Sequence, residues 1–395
     1  MRLLKACSIS FRKHDIKFGS GSWAGLTRLL LSLVIFVPLL LTPVRYYFFN
    51  SVGRWLYILL FSFLLSVILT PVMKIIALKL KVIDTPGGRK IHEKITPLLG
   101  GGAIIIAFYL SLLANMILDK EMAVLLCGGA ALAMVSFVDD WKGVSARLKL
   151  TIQVAVTLIL IRYGIILDLF PPMTLWGYCL NVFLSLLWIV GITNAMNFLD
   201  GMNGLAAGVG AIISFFLGIV AFQTNQTFMG WVAIAMLGSC LGFLPYNFKF
   251  KQPAEIFLGD TGSTFLGFTL SALAIKGEWA DNNPIVSFAA PILIFWILIF
   301  DMFYITLERT LTGKVKTFKE WIDYAGTDHI HHRLYKLLGD KQKAVILIYA
   351  LCTSLGISAI ALRNARPIDG ILLVEQALLI SAIVSILEVT GRNRH

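Results

Sequence analysis

Twelve apolar segments, at about 29–49, 55–77, 99–117, 122–138, 150–167, 175–192, 204–222, 228–245, 262–275, 285–307, 344–362 and 368–389, take up most of this chain. As helices rising 1.5 Å per residue, most are long enough to cross a hydrocarbon core of roughly 30 Å. A backbone in lipid must satisfy its own polar groups, and runs of this length do so as helices. Only 14% of residues are charged, against about a quarter in soluble domains. The fold class expected is an all-α polytopic integral membrane protein, with about 11 core transmembrane helices plus an extra N-terminal one.

The first segment follows a basic leader containing Arg2, Lys5, Arg12, Lys13, Lys17 and Arg28. It has no small-residue cleavage site before Pro43, so an uncleaved anchor is expected rather than a signal peptide. The chain thus divides into 1–54, a leader with an additional anchor, and 55–395, a single membrane domain. The five cysteines, Cys7, Cys127, Cys179, Cys240 and Cys352, are scattered singly and read as small apolar packing residues.

Orientation follows from the basic residues. With the N-terminus inside, the cytoplasmic segments 1–28, 74–98, 139–149, 193–203, 246–261, 308–343 and 390–395 hold 27 of the 34 lysines and arginines. Cytoplasmic loops carry such an excess. The net charge of +12 is therefore assigned to topology and to attraction for anionic lipid and substrates; nothing beyond charge suggests nucleic acid. The same orientation puts the Gly-rich "TPLLGGG" (96–102), Asp139-Asp140, "NAMNFLDGMNG" (194–204), "FLGDTGS" (257–263) and "HIHHRL" (329–334) on one face. The opposite loops contain nothing comparable, so one composite site is expected at the inner membrane surface.

Each cluster limits the chemistry. Adjacent carboxylates at a membrane interface repel one another and are costly to desolvate. On a helix they diverge by about 100°, so Asp139 and Asp140 suit two tasks, with Lys142, Arg147 and Lys149 nearby as cations for phosphate. The same stretch also reads as a solvated, self-neutralising loop. Asp260 stands between Gly259 and Gly262 at the mouth of a span, as a ligand for Mg²⁺, which binds few protein oxygens, or as a helix N-cap. Asn194, Asn197, Asp200 and Asn203 recur every third residue across a break marked by Gly201 and Gly204, so a broken helix end could turn them toward a cavity. Asn197 and Asp200 could supply oxygens near a metal, and Asn203 could read a ligand edge. His329, His331, His332 and Arg333 lie in the longest, most basic loop and suit a diphosphate better than zinc.

Taken together, "VDDWKG", "NAMNFLDGMNGLAAG", "FLGDTGS" and "HIHH", with "DTPGGRKIHEKITPLLGGGAI" (84–106) upstream, resemble the polyprenyl-phosphate N-acetylhexosamine-1-phosphate transferases of glycosyltransferase family 4. The likeness covers about 55–390, with all motifs in order, and is nearest the bacterial branch that begins envelope glycans on undecaprenyl phosphate. It implies transfer of an N-acetylhexosamine-1-phosphate, commonly GlcNAc-1-phosphate, from a UDP-sugar to undecaprenyl phosphate. UMP is released, and the reaction uses Mg²⁺ with Mn²⁺ as a substitute. Carried over residue by residue, it implies Asp260 and Asn197 as metal ligands and Asp139-Asp140 as the acid/base and acceptor-phosphate pair. Asp200, His331 and His332 join them as catalytic residues. Phe257 would stack on uracil and Asn203 would contact the nucleoside. Lys94, Lys142, Lys149, His329 and Arg333 would contact phosphates. A bacterial inner-membrane location, a cytoplasmic active site and a homodimer complete these expectations. Asp139 is taken ahead of Asp140 as the base in a single in-line attack, with an aspartyl-phosphate route as the alternative.

Two other readings compete. The phospho-MurNAc-pentapeptide transferases of the same superfamily usually carry Asp at the Asn203 position and adjacent histidines where this chain has His-Ile-His-His. A transporter would place polar residues at mid-bilayer in repeated halves, and no internal repeat is seen.

Overall fold

The computed structural model describes residues 22–85, 95–250, 252–277, 279, 284–324, 326, 328–362 and 365–392. The helices are α1 (Ser22–Leu39), α2 (Thr42–Tyr47), α3 (Arg54–Leu80), α4 (Gly100–Ala114), α5 (Lys120–Lys142), α6 (Ala146–Arg162), α7 (Leu175–Leu199) and α8 (Leu205–Gln223). They continue with α9 (Thr227–Asn247), α10 (Gly259–Lys276), α11 (Pro284–Ile294), α12 (Trp296–Leu311), α13 (Phe318–Asp323), α14 (Ile330–Leu338), α15 (Lys341–Ile360) and α16 (Pro367–Arg392). A π-helical turn, Phe48–Val52, precedes α3.

All twelve apolar segments fall on helices. Seven are long and apolar enough to cross a membrane, and the count reaches nine if two bent pairs, α1 with the Thr42–Val52 stretch and α11 with α12, each form one span broken by 76°. The remaining three segments coincide with α4, α6 and α10, which are 15, 17 and 18 residues long. This is an all-α, multi-pass membrane protein.

Helix ends follow local chemistry. Asp119, Ser145, Thr174 and Asp340 cap α5, α6, α7 and α15 by accepting backbone N–H groups two or three residues ahead, satisfying donors that have no intrahelical partner. Gly143 and Gly339, at φ of +77° and +67°, end α5 and α14 in conformations L-residues seldom adopt.

Helix α10 is the centre of the bundle and contacts α7, α5, α4 and α8. Every residue from Thr261 through Ile275 is buried. Its small residues permit this, because helices in lipid gain association from close backbone approach rather than from a hydrophobic drive. A Cβ on Gly101 would collide with the backbone of Gly262, so α4 and α10 touch main chain to main chain. Around this centre α3 lies on α9 and α4, α8 on α9 and α15, and α16 on α11 and α14.

One short antiparallel ladder, Ile83–Asp84 with Thr96–Pro97, pairs Ile83 with Pro97 and Asp84 with Thr96. Its second strand is tied to the start of α10: Phe257 N–H donates to Pro97 O at 2.8 Å, Gly100 N–H to Phe257 O at 2.9 Å, and Gly101 N–H to Leu258 O at 2.8 Å. The Gly-rich stretch is thus a docking surface for the "FLGD" turn. At the other end of the bundle Lys276 is bonded to Glu121 and lies 3.4 Å from Asp119. That end therefore carries a charged group too, which the sequence reading did not expect.

Candidate active site

A cavity of about 800 Å³ opens at one end of the bundle, where Asp140, Asp200, Asn203, Phe257, Asp260 and His332 share its wall. They come from four separate stretches of chain.

Asp139 and Asp140 end α5 and diverge as the helical angle requires. Asp140 reaches the N-terminus of α10. Its Oδ1 accepts the Asp260 N–H at 3.0 Å, and its Oδ2 accepts the Thr261 N–H at 3.0 Å and the Thr261 hydroxyl at 2.7 Å. A carboxylate from one helix thus caps another, where the dipole favours negative charge. Asp139 turns the other way, accepting the Val144 N–H at 2.6 Å and the Lys149 ammonium at 2.5 Å. Lys149, in the first turn of α6, also donates to Asp260 Oδ2 at 2.9 Å. One ammonium therefore bridges carboxylates from α5 and α10.

The three-residue stripe fans out, because a step of three drifts by about 60° on a helix. Asn194 bonds the Gln153 side chain on α6 at 2.7 Å and does not face the cavity. Asn197 donates to the Ser263 hydroxyl at 3.0 Å, beside Asp260. Asp200 and Asn203 follow where α7 breaks, and both reach the cavity. Gly204, at φ +82°, restarts the chain as α8; its N–H donates to Asn247 Oδ1 at 2.6 Å and its carbonyl accepts the Tyr349 hydroxyl at 2.6 Å.

Burial, with the Asp260 and Asp140 carboxylates beside it, holds the Asp200 carboxyl well above the usual range. Asp139, Asp140, Asp200 and Asp260 around one bridging lysine make a site rich in hard oxygen donors. Among the described residues no group of three His, Cys, Asp or Glu forms a complete metal cage. Two protein oxygens, one from Asp260 and one from Asn197, would instead leave most of the shell of a Mg²⁺-sized cation to water or phosphate. The donors fit such a cation.

The histidine motif forms the start of α14 and splits by direction. His332 lines the cavity beside Lys341 and Gln342. His331 is buried beneath it, rings 4.2 Å apart, and a Cβ on Gly201 would strike its Nε2. Neither His331 ring nitrogen has a hydrogen-bond partner, and burial, then the neighbouring His332, His329 and Arg333, pushes its pKa well below the usual value.

Several expected phosphate contacts stand elsewhere. His329 and Arg333 are turned into the protein, 6% and 1% exposed, because carboxylates on other helices hold them there. Lys142 lies over the Trp141 ring at 4.4 Å rather than in the cavity; the cation that Asp139 orients is Lys149. Lys94 lies outside the described residues. Thr261, Ser263 and Asn247 bind the site together and were missed, since buried hydroxyls and amides carry no pattern of their own. Asp301 was missed as well, although a lone acid in the apolar "LIFDMFY" is a recognised signal of function.

The family model of glycosyl transferase family 4 matches residues 122–278, the stretch from α5 to the end of α10. The "Probable undecaprenyl-phosphate N-acetylglucosaminyl 1-phosphate transferase" of Bacillus subtilis is 34% identical over 84% of this chain and 90% of its own length. The "Decaprenyl-phosphate N-acetylglucosaminephosphotransferase" of Mycobacterium tuberculosis is 26% identical over 81% and 85%. A "Phospho-N-acetylmuramoyl-pentapeptide-transferase" of Streptococcus agalactiae is 30% identical over 55% of this chain and 72% of its own, a shorter match. With the carboxylate cavity assembled and a relative aligned along most of both chains, this protein belongs to glycosyl transferase family 4.

Proposed function

We propose that this protein transfers an N-acetylhexosamine-1-phosphate, GlcNAc-1-phosphate foremost, from a UDP-sugar to undecaprenyl phosphate, releasing UMP, as the first membrane step of an envelope glycan. The observation that carries this is Lys149 bridging Asp139 and Asp260 beside Asp140 in a cavity at a span end. Phosphoryl transfer asks for positioned cations and oxygens more than for covalent chemistry, and a lipid-borne acceptor requires the site to stand at a membrane surface. The names of the two relatives aligned over most of this chain support the same reading.

Within it, Asp260 with Asn197 would hold Mg²⁺, and the chemistry such a cation would supply is charge to offset that of the diphosphate. Asp140, on the cavity wall, accepts or orients the acceptor proton, the role expected from sequence for Asp139, which is turned instead to Val144 and Lys149 and keeps that lysine in register. His332, Lys341 and Lys249 bring donors and positive charge to the cavity rim, suited to a diphosphate. Phe257 and Asn203 offer a flat ring and an amide to the nucleoside. The excess of lysine and arginine on the loops of this end supports a cytoplasmic site in a bacterial inner membrane. A cysteine at 249 should label from the cytoplasm and one at 171 from outside.

The deciding experiment incubates purified protein and undecaprenyl phosphate with a panel of labelled UDP-sugars. UMP release with a UDP-N-acetylhexosamine is expected. Turnover of UDP-MurNAc-pentapeptide alone would assign the chain to the other branch, and no turnover with any donor would refute the reading.

A further inference from the structure

Outside the cavity, a buried charged cluster of Asp301, His329, Arg333 and Glu388 joins α12, α14 and α16. Asp301 on α12 is 4% exposed and is approached from two sides by the start of α14. The His329 ring stands with Nδ1 2.7 Å from Asp301 Oδ2, and the Ile330 backbone N–H donates to Oδ1 at 2.6 Å. His329 is the N-cap residue of α14, yet its own side chain makes no capping bond. An acid 28 residues earlier does that work, and its other oxygen holds the His329 ring in place.

One turn along, Arg333 places Nε 3.1 Å from Glu388 Oε2 on α16 and its guanidinium 3.7 Å over the ring of Tyr304, three residues beyond Asp301 on α12. Arg309, also on α12, grips Asp328 through two bonds of 2.7 Å just ahead of the motif. Helix α14 is thus held from the front by α12 and from behind by α16.

Burying these ions costs several kcal/mol each by general experience, and apolar residues often replace such pairs with no loss of stability. Fold stability alone is a weak reason to keep acids in "IFDMFY" and "SILEVT". What the clamp does control is direction. The His329 carbonyl accepts the N–H groups of His332 and Arg333 at 3.0 and 3.1 Å, so fixing His329 fixes the turn that carries His332. The same turn presses the His331 ring onto Gly201 in the loop bearing Asp200 and Asn203. Rotation of α14 would move His332 out of the cavity and release that loop together.

We propose that Asp301, assisted by Glu388 through Arg333, is a positioning residue that sets the register of His332 against the Asp200–Asn203 loop. Asp301 touches no substrate. It acts through His332, and the proposal rests on the transferase reading above.

The test uses full-length enzyme in detergent with undecaprenyl phosphate and whichever UDP-sugar the wild type turns over, so failure of the transferase reading shows first, in the wild type. Asp301→Asn keeps one oxygen for the Ile330 N–H but loses the carboxylate facing His329. It is expected to retain the wild-type thermal midpoint within a few degrees, while kcat falls about tenfold or more and the pH–rate profile changes shape. His329→Gln should give the same kinetic change, and the double variant should be no worse than either single, since both remove one contact. Glu388→Gln should produce a smaller loss in the same direction. If Asp301→Asn does not fold, His329→Gln alone decides. Wild-type kcat, KM and pH profile in whichever variants fold would overturn the proposal, as would strictly additive losses in the double variant.

Discussion

Asp140 Oδ1 accepts the backbone N–H of Asp260 at 3.0 Å, so the carboxylate that ends α5 fixes the residue that begins α10. Two acids that are 120 positions apart in sequence are held in one geometry by a helix cap. Around this contact four carboxylates gather, three of them, Asp140, Asp200 and Asp260, on the cavity wall. One is drawn to a helix N-terminus, two share an ammonium, and the fourth, Asp200, has its pKa raised by burial and by the neighbouring Asp260 and Asp140 carboxylates.

The cap predicts different behaviour for two substitutions. Asp140→Ala removes the acceptor of three hydrogen bonds and should cost about 1–2 kcal/mol of stability, as lost caps do, together with turnover. Asp140→Asn keeps an acceptor for the helix and should retain most of the stability while losing turnover. Thermal midpoints and UMP release measured side by side check this; equal stability of both variants would show that the cap is not structural.

Mg²⁺ binding can be read without catalysis. A ligand that binds only the folded state raises the thermal midpoint with its concentration. Mg²⁺ should therefore stabilise the wild type, EDTA should reverse the effect and stop UMP release, and Asp260→Asn should abolish both responses. An unchanged Mg²⁺ titration of the midpoint in Asp260→Asn would remove Asp260 from the metal site.

His331 gives a pH prediction with a definite sign. Its folded-state pKa lies well below the usual value through burial and then through His332, His329 and Arg333. Above about pH 6.5 the ring is neutral both folded and unfolded, and no stability depends on it. Below that, the unfolded chain takes up a proton that the folded chain refuses, so stability falls as the pH drops. His331→Asn should start less stable at pH 7.5, from lost packing, but lose less between pH 7.5 and pH 5. Parallel thermal curves for the two proteins would contradict this.

Gly101 is the strictest packing position in the site's support. Gly101→Ala places a methyl against the Gly262 backbone, where no side chain can move aside. Overpacking of this kind costs about 1–3 kcal/mol, and here it should also push Asp260 away from Lys149. A lowered midpoint with reduced UMP release is expected. Gly143→Ala has open space around its Cβ and should suffer only from its φ of +77°, with a smaller loss of activity.

Apolar runs alone determined that the chain is a helical, multi-pass membrane protein, because lipid leaves the backbone so few options. The motifs also named the residues that meet in the cavity: Asp140, Asp200, Asn203, Phe257, Asp260 and His332 were all legible as chemistry-bearing side chains. Direction was not legible. A three-residue spacing put Asn194, Asn197, Asp200 and Asn203 in one stripe, but the break at the end of α7 sends Asn194 to Gln153 and only the last two to the cavity wall. Four polar residues in "HIHHR" looked alike, yet Asp301 and Glu388 draw His329 and Arg333 inward and leave His332 outward. The partners that decide these directions come from other helices, and nothing in local periodicity encodes them. Only tertiary packing could select which charge meets which, because burial makes an unmatched charge too costly to leave in place.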